Sequence, residues 1–331
     1  MAKDARLILT GDIGGTNTRL ALFTVFEDQL HCQHHATYPS ADYDSLEQIV
    51  DEFMATQAEQ VESACFGVAG VVTNGRCDAT NLPWIMDESE LAAHCQLTTV
   101  RLINDLEAAA HGVLALDEND LVELNPNAHP DPVGNRAVLA AGTGLGEATL
   151  YWDGAQYYPF ATEGGHCDFA PADQLQDDLL IWLRTRWGAH VSYERILSGP
   201  GLQEIYSWLI TSEREPEQPA IRSRMHMQNA SAVISEAALA QQDSACEHAL
   251  QLFIRIYAQE AGNMALKSLA TGGIYLAGGI APKILPALQS ELFLQSWLSK
   301  GRFNTLLENI PVKVVVHPQV SLIGAAHCLL D

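Results

Sequence analysis

The chain has 331 residues, 47% of them apolar and 18% charged, and carries a formal net charge of −23 from 41 acidic and 18 basic residues. The length fits about two domains with a sizeable core, and the acidic balance argues against nucleic acid and anionic membrane surfaces, which need basic patches. No apolar run approaches the ~18 residues of a membrane span, and the run before Gly11 is too short for a signal-peptide core. Seven cysteines without a Cys-x-x-Cys pair read as reduced thiols of a cytoplasmic protein.

In chain order, residues 7–23 predict strand, tight turn and strand. Gly11, Gly14 and Gly15 clear side chains from the turn so that backbone N–H groups can approach an anion, and Thr16 adds a hydroxyl donor. No Lys follows and the chain continues as strand, so this is not a Walker A loop; nor does it match the Gly-x-Gly-x-x-Gly of dinucleotide folds. Asp12 at the strand end supplies a carboxylate able to hold Mg²⁺, usually through water, against phosphate oxygens. Taken alone, the motif is equally a hairpin whose glycines serve positive φ. Residues 64–72 predict a strand closed by the turn Asn74-Gly75. Residues 100–103 predict a strand that ends in Asn104-Asp105 before the helical pattern of residues 106–110. That corner lets Asp105 project into a cleft, although Asn104 with Glu107 three residues later also resembles a capping box that needs no function.

Alternating strand and helix patterns fill residues 6–120, and the Pro- and Asn-rich residues 125–135 read as a surface connection between lobes. Residues 138–151 repeat the order of apolar run, Gly/Thr turn and alternating run, which suggests two related halves. Residues 162–168 place Glu163 and His166 in a glycine-permitted turn. His166, Cys167 and Asp168 lack a fourth ligand at zinc spacing. Glu194 follows Ser192 where a helix dipole favours an acid. Residues 212–218 predict an exposed loop between helices, and residues 237–269 one or two long helices. Residues 272–282 predict a strand running into Gly278-Gly279 and then a helix with Pro near its first turn. Small residues there let an adenine ring or ribose lie on the backbone.

The two hairpins, the Asn104-Asp105 corner and the late Gly-Gly motif together resemble the bacterial ATP-dependent glucokinases, in the group without the zinc-binding cysteine cluster, within the sugar kinase, Hsp70 and actin superfamily. The resemblance runs from Gly11 to the Gly324-Ala325-Ala326 turn. It implies an α/β, two-lobed ribonuclease H-like (actin-like ATPase) fold with a central cleft. The smaller lobe would comprise residues 1–115 and 311–331, and the larger one residues 116–310. It also implies ATP and Mg²⁺ as cofactors, D-glucose as substrate, and a homodimer, as relatives commonly are. Gly11, Asp12, Ile13, Gly14, Gly15 and Thr16 on the first hairpin, and Thr143, Gly144 and Gly146 on the second, would flank the phosphates. Gly278 and Gly279 would contact adenosine. Asp105 would be the base that takes the proton of the sugar 6-hydroxyl, with Asn104 bonding neighbouring hydroxyls. Glu163, His166 and Glu194 would bind glucose hydroxyls, with Asn81 a further candidate for the pocket.

The second hairpin begins Ala141-Gly142 where many relatives have Pro-Gly, a change that affects stiffness more than contacts. Three other readings stand beside this one. A sugar-responsive repressor on the same fold would place a basic helix-turn-helix ahead of Gly11, where only about ten residues precede it. An actin-like or chaperone ATPase gives no reason for Glu163, His166 and Glu194. A kinase of another hexose or N-acetylated sugar would use many of the same hydroxyl contacts.

Overall fold

The computed structural model describes residues 6–27, 29–55, 57, 61–79 and 82–330. It divides into two units. The first runs to Asp120 and takes in Pro159–Ala161 and the end of the chain from His317; the second comprises Leu121–Tyr158 and Thr162–Val316.

The first unit opens with β1 (Arg6–Ile13), β2 (Asn17–Phe26), β3 (Gln29–Pro39), α1 (Leu46–Ala55) and β4 (Ser63–Val68). The short strands β5 (Val72–Thr73), β6 (Arg76–Asp78) and β7 (Ile85–Asp87) form a small sheet of their own, followed by α2 (Glu88–Cys95), β8 (Thr99–Asn104) and α3 (Asp105–Ala115). The main sheet has the order β3-β2-β1-β4-β8, an antiparallel meander joined through β1 to two parallel strands. Its centre reads as continuous apolar sequence because both faces are covered, with five of the six residues of β4 buried. The edge strand β3 is mostly exposed and carries His31, His34 and His35, polar residues that blunt edge-to-edge pairing. Leu46, Ile49, Val50 and Phe53 of α1 recur at helical spacing and pack into the same core as Leu9, Leu20 and Phe66. The strand expected over residues 64–72 stops at Val68, and the chain turns before β5; Asn74 and Gly75 make the expected turn, both at positive φ.

The second unit contains β9 (Leu121–Glu123), β10 (Arg136–Ala141), β11 (Leu145–Trp152), β12 (Tyr157–Thr162), α4 (Gln174–Trp187), α5 (Gly199–Thr211), α6 (Pro219–Met227), α7 (Ala230–Leu239) and α8 (Ser244–Ser268). It continues with β13 (Gly273–Ala277), α9 (Leu285–Leu288), α10 (Glu291–Leu298), α11 (Asn304–Glu308) and β14 (Val312–Val315). Its sheet, β12-β11-β10-β13-β14-β9, repeats the order of the first and adds β9 antiparallel at the far edge. The two helices expected over residues 237–269 separate where Gln241 takes a positive φ and Asp243 caps α8 by accepting from the Cys246 N–H. The stretch 212–218 is the mostly exposed connection between α5 and α6. Residues 125–135 hold no strand or helix, but they lie within the second unit, and Asn125 is buried, its side-chain N–H groups donating to the carbonyls of Leu307, Glu308 and Ile310. After Gly279 the chain makes turns rather than a helix, and α9 starts only at Leu285 with Pro286 in its first turn.

The last helix, α12 (Val320–His327), returns to the first unit and packs along α3 through glycine. A Cβ at Gly324 would collide with the Ala108 carbonyl, and one at Gly112 with the Val320 carbonyl. This close approach fixes α3, and with it the strand-to-helix corner at Asp105. Among the described residues, no helix is long and apolar enough to cross a membrane.

Candidate active site

In the first unit, the candidate residues lie at the carboxyl ends of adjacent strands, where open α/β sheets bind ligands. Register places Ile13 beside Val68 and Val68 beside Asn104, so the ends of β1, β4 and β8 stand abreast. At Gly67, a Cβ would lie 3.6 Å from both the Gly11 carbonyl oxygen and the Asp105 Cα, so the first hairpin and the corner meet over a residue with no side chain. Neither Gly11 nor Gly14 takes a positive φ, so that hairpin explanation does not account for them. Gly11 is required by packing, since a Cβ there would press on the Phe66 ring. Gly14 closes the turn by donating its N–H to the Asn17 carbonyl. Buried Ser40 braces the loop: its hydroxyl donates to the Gly14 carbonyl at 2.8 Å and its N–H to the Thr16 carbonyl. Asp12 faces Arg19 across the hairpin at 3.3 Å. Burial raises the Asp12 carboxyl above its ordinary range, and Arg19 partly offsets this.

Asn104 caps α3, but the cap does not account for Asp105. The Asn104 carboxamide oxygen accepts from the Leu106 N–H at 2.8 Å, and Asn104 Nδ2 donates to the Gly70 carbonyl. Asp105, at the first helical position, is half-buried, and its Oδ1 also accepts from the Leu106 N–H at 3.0 Å. Asn104 thus holds the corner from the residue before Asp105.

In the second unit, the second hairpin, the two sugar-candidate turns and the Gly278-Gly279 motif converge. Thr143 is exposed at the tip of the β10–β11 turn, which the Gly142 N–H closes by donating to the Gly144 carbonyl. Glu194 Oε2 accepts from the Leu145 N–H at 3.1 Å, and a Cβ at Gly144 would press on that carboxylate. Ser192 makes no side-chain cap, and Tyr193–Arg195 is a single turn, so the helix-dipole explanation of Glu194 gives way to this bond with the hairpin. Residues 167–169 run beside 191–193, with Tyr193 N–H donating to the Cys167 carbonyl, and this brings the Glu163–His166 turn next to Glu194. Glu163 and His166 are both exposed and 3.8 Å apart. At Gly165 a Cβ would strike the Leu145 carbonyl, so this turn is seated directly on the hairpin. Gly278, at φ 80°, packs on Ala141, whose carbonyl accepts from the Ile280 N–H, while Gly279 faces open space. Gly146 follows Leu145 in β11.

Asp168, which followed His166 and Cys167 in the sequence, pairs instead with His190 at 2.7 Å. Among the described residues, no group of three or more His, Cys, Asp or Glu side chains is placed to hold a metal ion. Mg²⁺ requires less than such a cage, because it usually takes one or two carboxylates and completes its shell with water and substrate phosphates. The partly exposed Asp12 carboxylate is compatible with that mode. Asn81 lies outside the described residues. Two residues of consequence escaped sequence reasoning: Ser40, whose only signal is a small polar residue after Pro39, and Glu147, which sits among apolar neighbours in β11.

The family model Glucokinase matches residues 9–331. The glucokinase of Nostoc sp. is 41% identical to this chain, covering 97% of it and 98% of the relative, and that of Yersinia enterocolitica is 36% identical, covering 96% and 94%. Among solved structures, a glucokinase from an Antarctic psychrotroph aligns with a TM-score of 0.84 at 32% identity over 98% of each chain. A ROK family glucokinase from Streptomyces griseus, solved with glucose and AMPPNP, aligns at 0.65 and 20% identity over 97% of this chain and 98% of its own, a likeness of fold. The α/β architecture is that of the actin-like ATPases.

Proposed function

The chain belongs to the glucokinase family, and we propose that Asp105 is the general base with which it phosphorylates D-glucose. The reaction is transfer of the γ-phosphoryl group of ATP to the sugar, giving glucose 6-phosphate. The Asp105 carboxylate accepts the proton of the 6-hydroxyl as that oxygen attacks phosphorus, and Asn104 bonds a neighbouring hydroxyl. Glu163, His166 and Glu194 hold the remaining hydroxyls, with Asn81 as a further contact. The observation that supports this sugar assignment is the seating of Glu163, His166 and Glu194 around one hairpin turn, an arrangement a freestanding ATPase has no use for.

Gly11, Asp12, Ile13, Gly14, Gly15 and Thr16 contact phosphate on the first hairpin, and Thr143, Gly144 and Gly146 on the second. Gly278 and Gly279 receive adenosine. Mg²⁺ held through Asp12 supplies neutralisation of the β- and γ-phosphate charge. The seven free cysteines fit a reducing, cytoplasmic compartment. The protein acts there as a homodimer, which light scattering at twice the chain mass would check.

A coupled ADP-release assay across glucose, mannose, fructose, galactose and N-acetylglucosamine tests the activity. Glucose should give the highest kcat/KM, and omission of sugar should leave ADP release orders of magnitude slower. ATP turnover indifferent to sugar would assign the chain to the ATPases instead. A preference for N-acetylglucosamine would move it to the N-acetylated sugar kinases.

A further inference from the structure

Behind the Glu163–His166 turn lies a carboxyl group that the reaction does not use. Glu147 points from β11 into the second unit and is only 4% exposed, and its Oε1 has no hydrogen-bond partner among the described residues. The carboxyl lies directly beneath the turn, since a Cβ at Gly164 would overlap Glu147 Oε2. Thr162 ties the two together: its hydroxyl donates to the Glu147 carbonyl and accepts from the Gly164 N–H, both at 3.1 Å.

Resting on the sugar assignment above, we propose that Glu147 is a positioning residue for glucose affinity, its carboxyl setting the seat of the turn that carries Glu163 and His166. The charged groups that act on it come from one element, α8, and the turn lies over it. From α8, buried Glu260 raises its proton affinity, while Lys267 lowers it less. Glu260 in turn receives Asn263 Nδ2 at 2.8 Å and Lys267 Nζ at 3.4 Å, and Asn263 also bonds Tyr193 and Lys300. On the turn itself, Glu163 and His166 are both exposed. Tyr193 lies beside Glu260 and immediately precedes Glu194.

Burial, then Glu260, pushes the Glu147 carboxyl up to about 7. The neutral carboxyl is the form the interior accepts. The ionised form is penalised by burial and by Glu260, and the carboxyl lies directly against Gly164, so a carboxylate that ionises and gains solvation displaces the turn. Glucose therefore selects the neutral form, and its binding is linked to proton uptake. The native fold holds this proton more tightly than the unfolded chain does. The corresponding stability is fully present below the unfolded pKa, near 4.5, and is lost as pH rises through about 7.

Calorimetric titration of glucose into the full-length protein at pH 6 and pH 8 tests this, with Glu147→Gln and Glu163→Gln alongside. If only the neutral form binds, the wild-type Kd should rise about tenfold across that range, following the fraction of competent protein. Glu147→Gln keeps the shape and cannot ionise, so its Kd should change less than about twofold. A pH dependence that survives in Glu147→Gln overturns the inference while leaving the sugar contacts standing. Glucose affinity unchanged in Glu163→Gln would overturn the sugar assignment itself, and this inference with it. Should Glu147→Gln fold poorly, the wild-type protein still decides. Its binding enthalpy near pH 7 should vary with the ionisation enthalpy of the buffer, and no net proton uptake would contradict the proposal.

Discussion

The two Gly/Thr hairpins share a strand order and differ in what their acids face. On the first, Asp12 is partly exposed and answered by Arg19 directly across the strands, and a buried serine, Ser40, braces the loop through backbone carbonyls. On the second, Glu194 reaches in from a neighbouring turn to the Leu145 N–H, and Glu147 is buried near Glu260 with no hydrogen-bond partner for its Oε1 among the described residues. A repeated backbone therefore serves two tasks. The first hairpin leaves a carboxylate partly exposed and adjoins the corner of the proposed base, whereas the second is a platform on which the turns proposed to contact sugar are seated. The division predicts that damage to the first unit lowers turnover and damage to the second weakens sugar binding.

The largest effect should come from Asp105→Ala, because a positioned general base contributes about 10²- to 10⁴-fold. Single-turnover phosphorylation should fall by that factor with little change in Tm, since Asn104 supplies the cap without it. A variant that kept its rate and lost stability would make Asp105 a helix-start residue only. Glu163→Gln on the second platform should raise the glucose KM roughly 10- to 100-fold, the range expected for a hydrogen bond to a charged group, with a much smaller change in the ATP KM. Equal changes in both would blur the comparison between the hairpins. Asp12→Asn should raise the Mg²⁺ concentration giving half-maximal activity by several-fold, because one anionic ligand is lost; an unchanged magnesium dependence would leave Asp12 as Arg19's partner alone. Ser40→Ala should be smallest, costing about 1 kcal/mol of stability through the lost bond to Gly14 and shifting Tm by about 2 °C in a thermal scan.

Much of this was legible in sequence because it depends on local patterns. Two apolar runs around a Gly-rich turn announce a hairpin, and Asn104 with Glu107 announces a cap. What sequence could not show is what each side chain meets at long range. Gly11 looked like a concession to phosphate, and the fold adds a second reason for it, since a Cβ there would press on Phe66. Glu194 looked like a helix-dipole residue, but its carboxylate is bonded to a hairpin 49 residues away in sequence. Pro282 suggested a helix start that turns occupy as far as Ile284. Glu147 carried no signal at all, since a single acid in an apolar strand most often faces solvent, and only the fold reveals that this one faces Glu260 and the underside of Gly164.

The central claim is that phosphoryl transfer and sugar binding are separable between the two units, and calorimetric titration of glucose into Asp105→Ala tests it most directly. With Glu163, His166 and Glu194 intact, glucose should bind within about threefold of the wild-type affinity, a difference of well under 1 kcal/mol, while single-turnover transfer in the same preparation is lost. Glucose affinity that falls by the same factor as the rate would contradict the account, because it would make Asp105 a sugar-holding residue and not the base.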